Sequence, residues 1–172
     1  RKVKVAAVQM RAQERECEYR KRGETREKSG RGRAQIILLP ELFERQYFCQ
    51  ERQYEYYEFA KPVEENDAVK HFAKVAEELK VVLPISFYEK DGKRLFNTVA
   101  ILDADGTNLG IYRKTHIPDD HYYQEKFYFT PGDTGFKAFK TRYAHRRGHL
   151  LGPVVPGDRE IYGGKGRRAL IL

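Results

Sequence analysis

The stretch AQIILLPEL, residues 34–42, constrains the fold more strongly than any other part of the sequence. Its apolar residues form one continuous run, which is typical of a strand that is covered on both faces of an α/β sheet. Pro40 closes the run because proline cannot donate to a sheet ladder. The stretch therefore predicts a central strand that stops at a proline and leaves Glu41 at its carboxyl end.

Other strands and one helix are expected around this central strand. Residues 2–10, KVKVAAVQM, alternate and then become apolar, which predicts a second buried strand. Residues 67–80, DAVKHFAKVAEELK, carry apolar side chains at helical spacing, with Asp67 as the expected N-cap. Three strands follow in VVLPISFYEK, LFNTVAILDADG and LGIYRK, joined by turns at 91–93 and in DADG. This order predicts an α/β fold with a mixed sheet.

Length and composition exclude several classes of protein. The 172 residues suit a single domain over 1–172. No apolar run is long enough to span a membrane and the first residues do not resemble a signal peptide, so no membrane partner is expected. Two cysteines, Cys17 and Cys49, make no disulfide framework, which favours a cytoplasmic location. The histidines lack ligand spacing and no phosphate-binding glycine motif is present, so neither a metal nor a cofactor is expected.

The net charge of +8 is concentrated in two atypical segments. Residues 11–33 hold nine Lys/Arg against five Glu, and residues 145–168 hold six Lys/Arg against two acids. Both segments lack any hydrophobic period, whereas the rest of the chain is balanced in charge. A basic module that binds nucleic acid is a rival hypothesis, but each segment contains a single aromatic residue, Tyr19 or Tyr162, and no interleaved series of stacking platforms, so no nucleic-acid partner is expected.

A long loop-like stretch, residues 115–136, is rich in aromatic residues, Pro and Gly. A segment of about 20 residues without regular structure in a compact domain is usually functional. From Asp119 to Phe129 it contains five Asp, Glu, Lys or His residues and five Tyr/Phe. This composition predicts the wall of a pocket.

Three charged residues are candidates for catalysis. Glu41, at the end of the buried strand, is a candidate general base, and Lys114, at the end of GIYRK, could stabilise an oxyanion. Glu125, within YYQEKFYF, could be a second carboxylate in the same pocket. Each has an ordinary alternative as a solvated strand-end or loop charge. Cys49 is a possible nucleophile, although a single cysteine between aromatic residues more often packs in the core.

The segments VKVAAVQM, GRAQIILLPELFERQYFCQ, LGIYRKTHIPDD and YYQEKFYFTPGDTGFK resemble the nitrilase superfamily of carbon–nitrogen hydrolases. The similarity covers residues 2–10 and about 34–144, and LPELF, YRKTHIPD and QEKFYFTPGD are its most specific parts. The resemblance implies an α-β-β-α sandwich, of which this chain holds the N-terminal half to two-thirds. It also implies a homo-oligomer and hydrolysis of an amide or carbamoyl C–N bond without a cofactor.

The family's triad is a glutamate, a lysine and a cysteine. By resemblance Glu41 matches the general base, Lys114 the triad lysine, and Glu125 the additional pocket glutamate of carbamoyl-cleaving members. The expected partner is a small carbamoylated amine, N-carbamoylputrescine in particular, which would yield putrescine, CO2 and ammonia. Another ureido or amide hydrolase, such as a β-ureidopropionase-like enzyme, and a non-catalytic basic module are the alternatives. The sequence DDHYY at 119–123 lacks the glycines that many relatives carry there.

The triad cysteine is absent from this chain, so no residue of this chain is expected to be the nucleophile. The family places it soon after TRY, where this sequence has AHRRGHLLGPVVPGDRE. Codons for residues 149–153 permit Ile-Cys-Trp-Asp when they are read one base later, and the same shift across 18–32 permits an amphipathic helix. We therefore predict that residues around 14–33 and 145–168 are out-of-frame translations, and that this polypeptide folds with weak or no cooperativity and has no detectable hydrolase activity.

Overall fold

The computed structural model describes residues 3–9, 34–135, 137–143 and 150–151. Apart from Leu150–Leu151, both basic segments lie outside the described residues, and so does Cys17. The prediction that these segments are out of frame therefore has no structural test.

A mixed sheet forms the centre of the described structure, as predicted. Strands β1 (Val5–Ala7) and β2 (Ile36–Leu38) pair in parallel, while β3 (Leu83–Asp91), β4 (Arg94–Leu102) and β5 (Asn108–Arg113) form an antiparallel meander. A parallel bridge from Ile36 to Val82, with backbone hydrogen bonds on both sides of it, connects β2 to β3. The turn between β3 and β4 carries Gly92 at φ +60, a conformation that favours glycine in a tight hairpin.

One helix, α1 (Asp67–Leu79), packs on the sheet. The prediction that Asp67 is its N-cap is wrong. Asn66 is the N-cap, and its side-chain oxygen accepts the backbone N–H of Val69 at 2.9 Å. Both residues have short side chains that can cap a helix, but the chain is still extended at Asn66, so that side chain is the one that folds back over the first turn. The helix ends at Lys80 in the left-handed conformation, a position that glycine usually occupies.

Apolar side chains cover both faces of the sheet, which explains why its strands read as continuous apolar runs. The helix side of the sheet buries Ile37, Leu39, Phe43, Val69, Phe72, Ala76, Leu83, Ile85, Phe87 and Leu102. The opposite side buries Ile36, Val82, Val99, Ile101, Tyr112 and Phe139. A third cluster, the aromatic cluster, lies beside the carboxyl end of β2; half of its buried residues are aromatic, and it consists of Leu42, Phe48, Cys49, Ala60, Tyr88, Ile117, Tyr128 and Phe129.

The stretch expected to be loop-like contains short ordered elements. Strands β6 (Asp119–Asp120) and β7 (Tyr123–Gln124) pair as a small hairpin, and a 3₁₀ turn at Glu125–Phe127 follows directly. Further along, β8 (Ala138–Phe139) pairs antiparallel with β9 (Leu150–Leu151). In the described part of the chain, no helix is both long and apolar enough to cross a membrane.

Candidate active site

Glu41 lies just beyond β2, as predicted, and a hydrogen bond from the next backbone N–H to β3 fixes the chain at this point. The next residue, Leu42, has φ +49, which is unusual for a side chain of this size. The backbone N–H of Leu42 donates to the hydroxyl oxygen of Ser86 on β3 at 3.0 Å. Local strain that the surrounding structure holds in place is common at functional sites. Here it turns the chain sharply after β2 and leaves the Glu41 side chain 49% exposed.

Lys114 follows β5 directly, and both of its backbone groups are bonded. Its N–H donates to the carbonyl of Asn97 at 2.8 Å, and its carbonyl accepts the N–H of Gly132 at 2.9 Å. Gly132 has no room for a side chain, because a Cβ there would lie 2.1 Å from the carbonyl oxygen of Arg113. The long loop therefore packs tightly against the end of β5.

Glu125 opens the 3₁₀ turn in that loop and is 2% exposed. Its Oε1 accepts the hydroxyl of Tyr47 at 2.8 Å. Burial, and next the hydrogen bond to Glu125, raise the pKa of the Tyr47 hydroxyl, so this group stays protonated and remains a donor. A buried carboxylate needs such partners because its desolvation is otherwise unfavourable.

The structure brings the three predicted residues together. The ammonium group of Lys114 lies 2.9 Å from Oε1 of Glu41 and 2.9 Å from Oε2 of Glu125. Residues from two distant parts of the sequence, position 41 and positions 114–125, thus form one carboxylate–ammonium–carboxylate cluster at the edge of the sheet. Their catalytic roles, which the family resemblance implies, remain a prediction.

Lys114 is 18% exposed, and its charge is maintained against that burial. Burial alone lowers the pKa of the Lys114 ammonium, but the charge of Glu41 and the hydrogen bond and charge of Glu125 outweigh it, and the net shift is upward. At neutral pH Lys114 is therefore a fixed cation. It can stabilise developing negative charge but is not suited to taking up a proton.

Cys49 is buried in the aromatic cluster beside this site, with no exposed surface. Burial, followed by the negative charge of Glu125, raises the pKa of the Cys49 thiol above its ordinary value. A thiol of this kind is protonated and inaccessible, whereas a nucleophilic cysteine needs a stabilised thiolate. The geometry favours the packing interpretation of Cys49.

Sequence reasoning missed Asn97, whose Nδ2 donates to Oε1 of Glu41 at 2.7 Å. Asn97 lies in the middle of β4 and is 2% exposed. The signal was available in the sequence, because Asn-Thr interrupts the apolar run LFNTVAIL, and a buried polar side chain in a strand needs a partner.

Sequence reasoning also missed an ionic network around Arg113, the neighbour of Lys114. The guanidinium donates to both oxygens of Glu89 at 2.8 and 2.6 Å, to Asp91 at 2.9 Å and to Asp133 at 2.8 Å. Its Cζ also lies 4.0 Å from the centre of the Phe96 ring. Because Asp133 belongs to the long loop, this network anchors that loop to β3 and to the end of β5.

Among the described residues, no group of three or more His, Cys, Asp or Glu could hold a metal ion. The mixed sheet, with the carboxylate–ammonium–carboxylate cluster at its edge, defines an α/β protein. The chain belongs to the carbon-nitrogen hydrolase family, whose model matches residues 4–155.

Relatives of known name support this assignment. An N-carbamoylputrescine amidase of Oryza sativa subsp. japonica is 54% identical over 145 residues, which cover 83% of this chain and 48% of the relative. A citrullinase of Francisella tularensis is 43% identical over 143 residues, which cover 83% of this chain and 50% of the relative. The chain thus spans about half the length of these relatives.

Solved structures confirm the expected fold class. A carbon-nitrogen hydrolase from Helicobacter pylori G27 matches with a TM-score of 0.71 and 31% identity, over 84% of this chain and 48% of that one. Nit3 of Saccharomyces cerevisiae, a member of the nitrilase superfamily, matches with a TM-score of 0.64 at 20% identity, over 84% of this chain and 55% of that one, and supports the fold alone. The described residues form part of the α-β-β-α sandwich of that superfamily.

Proposed function

We propose that the intact protein hydrolyses the ureido C–N bond of a small carbamoylated amine, and that N-carbamoylputrescine is its substrate. The observation that carries the proposal is the ammonium of Lys114, held 2.9 Å from a carboxylate on either side. This arrangement supplies a general base and an oxyanion-stabilising cation within one small volume. The reaction would release putrescine, CO2 and ammonia.

In the proposed mechanism a thiol on the intact protein loses its proton to Glu41, and the thiolate attacks the ureido carbon. Lys114 stabilises the oxygen that becomes negatively charged. The C–N bond then breaks, the leaving nitrogen takes the proton back from Glu41, and a thioester-type intermediate remains. A water molecule gives a proton to Glu41 and attacks this intermediate, the carbon–sulfur bond breaks, and the sulfur takes the proton from Glu41 to restore the thiol. The carbamic acid released in this step then loses CO2 and yields the second amine.

We propose that the 172-residue polypeptide itself is inactive. Its cysteines are Cys17, in one of the segments that we propose to be out of frame, and Cys49, whose thiol is buried and protonated. Without a thiolate, the Glu41–Lys114 pair would have to activate water for direct attack, which forgoes covalent catalysis. We further propose that the intact protein forms a homo-oligomer, as the family resemblance implies, and that it lies in the cytoplasm, because its two cysteines make no disulfide framework.

The choice of substrate rests on charge and on the relatives. Two carboxylates and one ammonium give the cluster a negative charge, which suits a cationic amine. The hairpin before Glu125 adds the exposed residues Asp119, Asp120, Tyr122 and Tyr123, which are acids and rings that can contact a cation. The names of the rice and Francisella relatives both point to substrates that carry a ureido group, and the rice relative is the more similar of the two.

The proposal is tested by sequencing the gene through both basic segments and assaying its complete product. Ammonia release is measured from N-carbamoylputrescine and, for comparison, from citrulline. We expect turnover of the first that Glu41→Gln reduces by about 100-fold or more, because a general base is removed. Codons that cannot encode cysteine across Leu150 and Leu151 would refute the hypothesis that this segment is out of frame. Turnover by the 172-residue polypeptide after loss of both Cys17 and Cys49 would refute the proposal that this polypeptide is inactive. Salt-dependent binding of nucleic acid without any turnover would favour the basic module instead.

A further inference from the structure

Asn97 has two contacts that together set the geometry of the candidate active site. Its side-chain amide donates to Oε1 of Glu41 at 2.7 Å, and its backbone carbonyl accepts the N–H of Lys114 at 2.8 Å. The residue pairs with Tyr88 in the middle of the antiparallel meander, so its own backbone is fixed on that side by a neighbouring strand. One rigid residue thus holds the carboxylate and the lysine backbone at the same time.

The four carboxylate oxygens of the cluster are unequally occupied. Oε1 of Glu125 accepts from Tyr47, and Oε2 of Glu125 accepts from Lys114. Oε1 of Glu41 accepts twice, from Asn97 and from Lys114. Among the residues that the structure describes, no donor contacts Oε2 of Glu41.

This asymmetry matters for proton transfer. An oxygen that already accepts two hydrogen bonds has few lone-pair directions left for an incoming proton. The amide of Asn97 does not titrate, and Lys114 stays charged, so neither donor leaves Oε1 near neutral pH. The free oxygen belongs to a side chain that is 49% exposed and can be reached by a substrate group.

We propose that Asn97 is a positioning residue that occupies Oε1 of Glu41 and thereby makes Oε2 the oxygen that exchanges the proton. The inference rests on the proposed function, since it assigns a task to the general base of that reaction. The alternative is that Asn97 is a buried polar residue that merely satisfies its own hydrogen bonds. The two interpretations differ in whether the amide donor is needed for turnover.

The contact itself is tested on the complete gene product by nuclear magnetic resonance. We expect the side-chain amide protons of Asn97 to shift in Glu41→Gln, and the carboxyl carbon of Glu41 to shift in Asn97→Ala while that of Glu125 stays in place. Asn66 is the matched control, because it is an equally buried asparagine whose amide donates to a different glutamate, Glu44. Its amide signals should not respond to Glu41→Gln. An unchanged Asn97 amide in Glu41→Gln, or a random-coil shift for Glu41 in the unsubstituted chain, overturns the proposal.

The positioning role is tested by kinetics on the complete gene product. Asn97→Ala should lower kcat by about 10- to 100-fold with KM unchanged within about twofold, because the base is misplaced while substrate binding is retained. Asn97→Asp keeps the shape but loses the donor and should lose as much, whereas Asn66→Ala should keep kcat within about threefold. Full kcat in Asn97→Asp overturns the role.

Failure of the proposed function is visible separately. In that case the unsubstituted gene product hydrolyses no carbamoylated amine, before any Asn97 variant is compared. The assignment of Oε2 as the proton-exchanging oxygen would then fall with the proposed function, while the resonance measurement would still decide whether Asn97 holds Glu41.

Discussion

Replacing Lys114 by methionine removes the ammonium group from between two carboxylates while keeping a side chain of similar length. The two partners lie at the same 2.9 Å distance but differ greatly in burial, since Glu125 is 2% exposed and Glu41 is 49% exposed. The variant therefore separates the energetic effect of burial from that of distance. We expect nearly all of its effect on stability to come from Glu125.

The magnitude follows from the geometry. Two unit charges 2.9 Å apart attract by about 6 kcal/mol at an effective dielectric constant of about 20. The lysine is itself desolvated, so its removal also relieves an unfavourable term, and breaking a buried pair destabilises proteins by about 3–5 kcal/mol. Because Tyr47 still donates to Glu125, we expect the lower end, about 3 kcal/mol. The contact with exposed Glu41 should contribute under about 1 kcal/mol.

The assay is urea denaturation of the complete gene product at neutral pH, followed by circular dichroism, because the 172-residue polypeptide is expected to unfold with weak cooperativity. With a slope of about 1.5 kcal/mol per molar, the loss lowers the midpoint by about 2 M. Adding Glu125→Gln to Lys114→Met should restore about 2 kcal/mol, because the unpaired buried charge disappears. Adding Glu41→Gln instead should restore almost nothing. Equal rescue by the two second substitutions, or a single variant within about 1 kcal/mol of the unsubstituted chain, would refute the reasoning.

Three further predictions concern neighbouring groups. The pKa of Lys114 is raised in the folded state, so the stabilisation from its charge is fully present below pH 10.5, its ordinary pKa, and is lost as the pH rises through the folded-state pKa. Urea midpoints between about pH 8 and 12 should therefore fall less in Lys114→Met than in the unsubstituted chain. Arg113→Met should destabilise the protein by about 3 kcal/mol or more, because it leaves the buried Glu89 without its cationic partner. Arg94→Met, at a half-exposed arginine, is the control and should change stability by under about 1 kcal/mol in the same denaturation assay. In Cys17→Ser, the remaining thiol of Cys49 should resist a thiol-alkylating reagent in the folded chain and react when urea unfolds it, as followed by mass spectrometry.

Much of the fold could be predicted because the strands are local patterns. The runs in β2 to β5 and the helical spacing in 67–80 follow directly from burial, and the structure confirms these elements and the mixed sheet. The N-cap was missed because Asn66 and Asp67 are both capable caps, and only the path of the incoming chain decides between them. The hairpin β6–β7 was missed because two-residue strands leave no period to detect.

The site was predictable in its charged members but not in the groups that hold them. Glu41 and Lys114 follow strand ends, where sites gather in α/β sheets, and the family resemblance drew attention to Glu125. Asn97 and Tyr47 lie 56 and 78 residues from the carboxylates they contact. A single sequence carries no information about such pairings, since they depend on how strands and loops meet in space.

For the reaction we propose, the need for two carboxylates follows from the lysine. A lysine as buried as Lys114 would tend to lose its proton if it stood alone, and a neutral amine could not stabilise an oxyanion. The charge of Glu41, together with the charge and hydrogen bond of Glu125, raises the pKa of Lys114 and keeps the ammonium charged, and Glu125 is itself held by Tyr47. A thiolate formed beside this cluster would make its charge more negative by one unit, unless the proton released by the thiol stays in the site. Because Lys114 is already protonated and both oxygens of Glu125 accept hydrogen bonds, that proton goes to Glu41. Both carboxylates therefore keep Lys114 charged, and Glu41 also exchanges the proton. While Glu41 holds that proton, Glu125 is the carboxylate that still pairs with the cation, so the proposed reaction needs both.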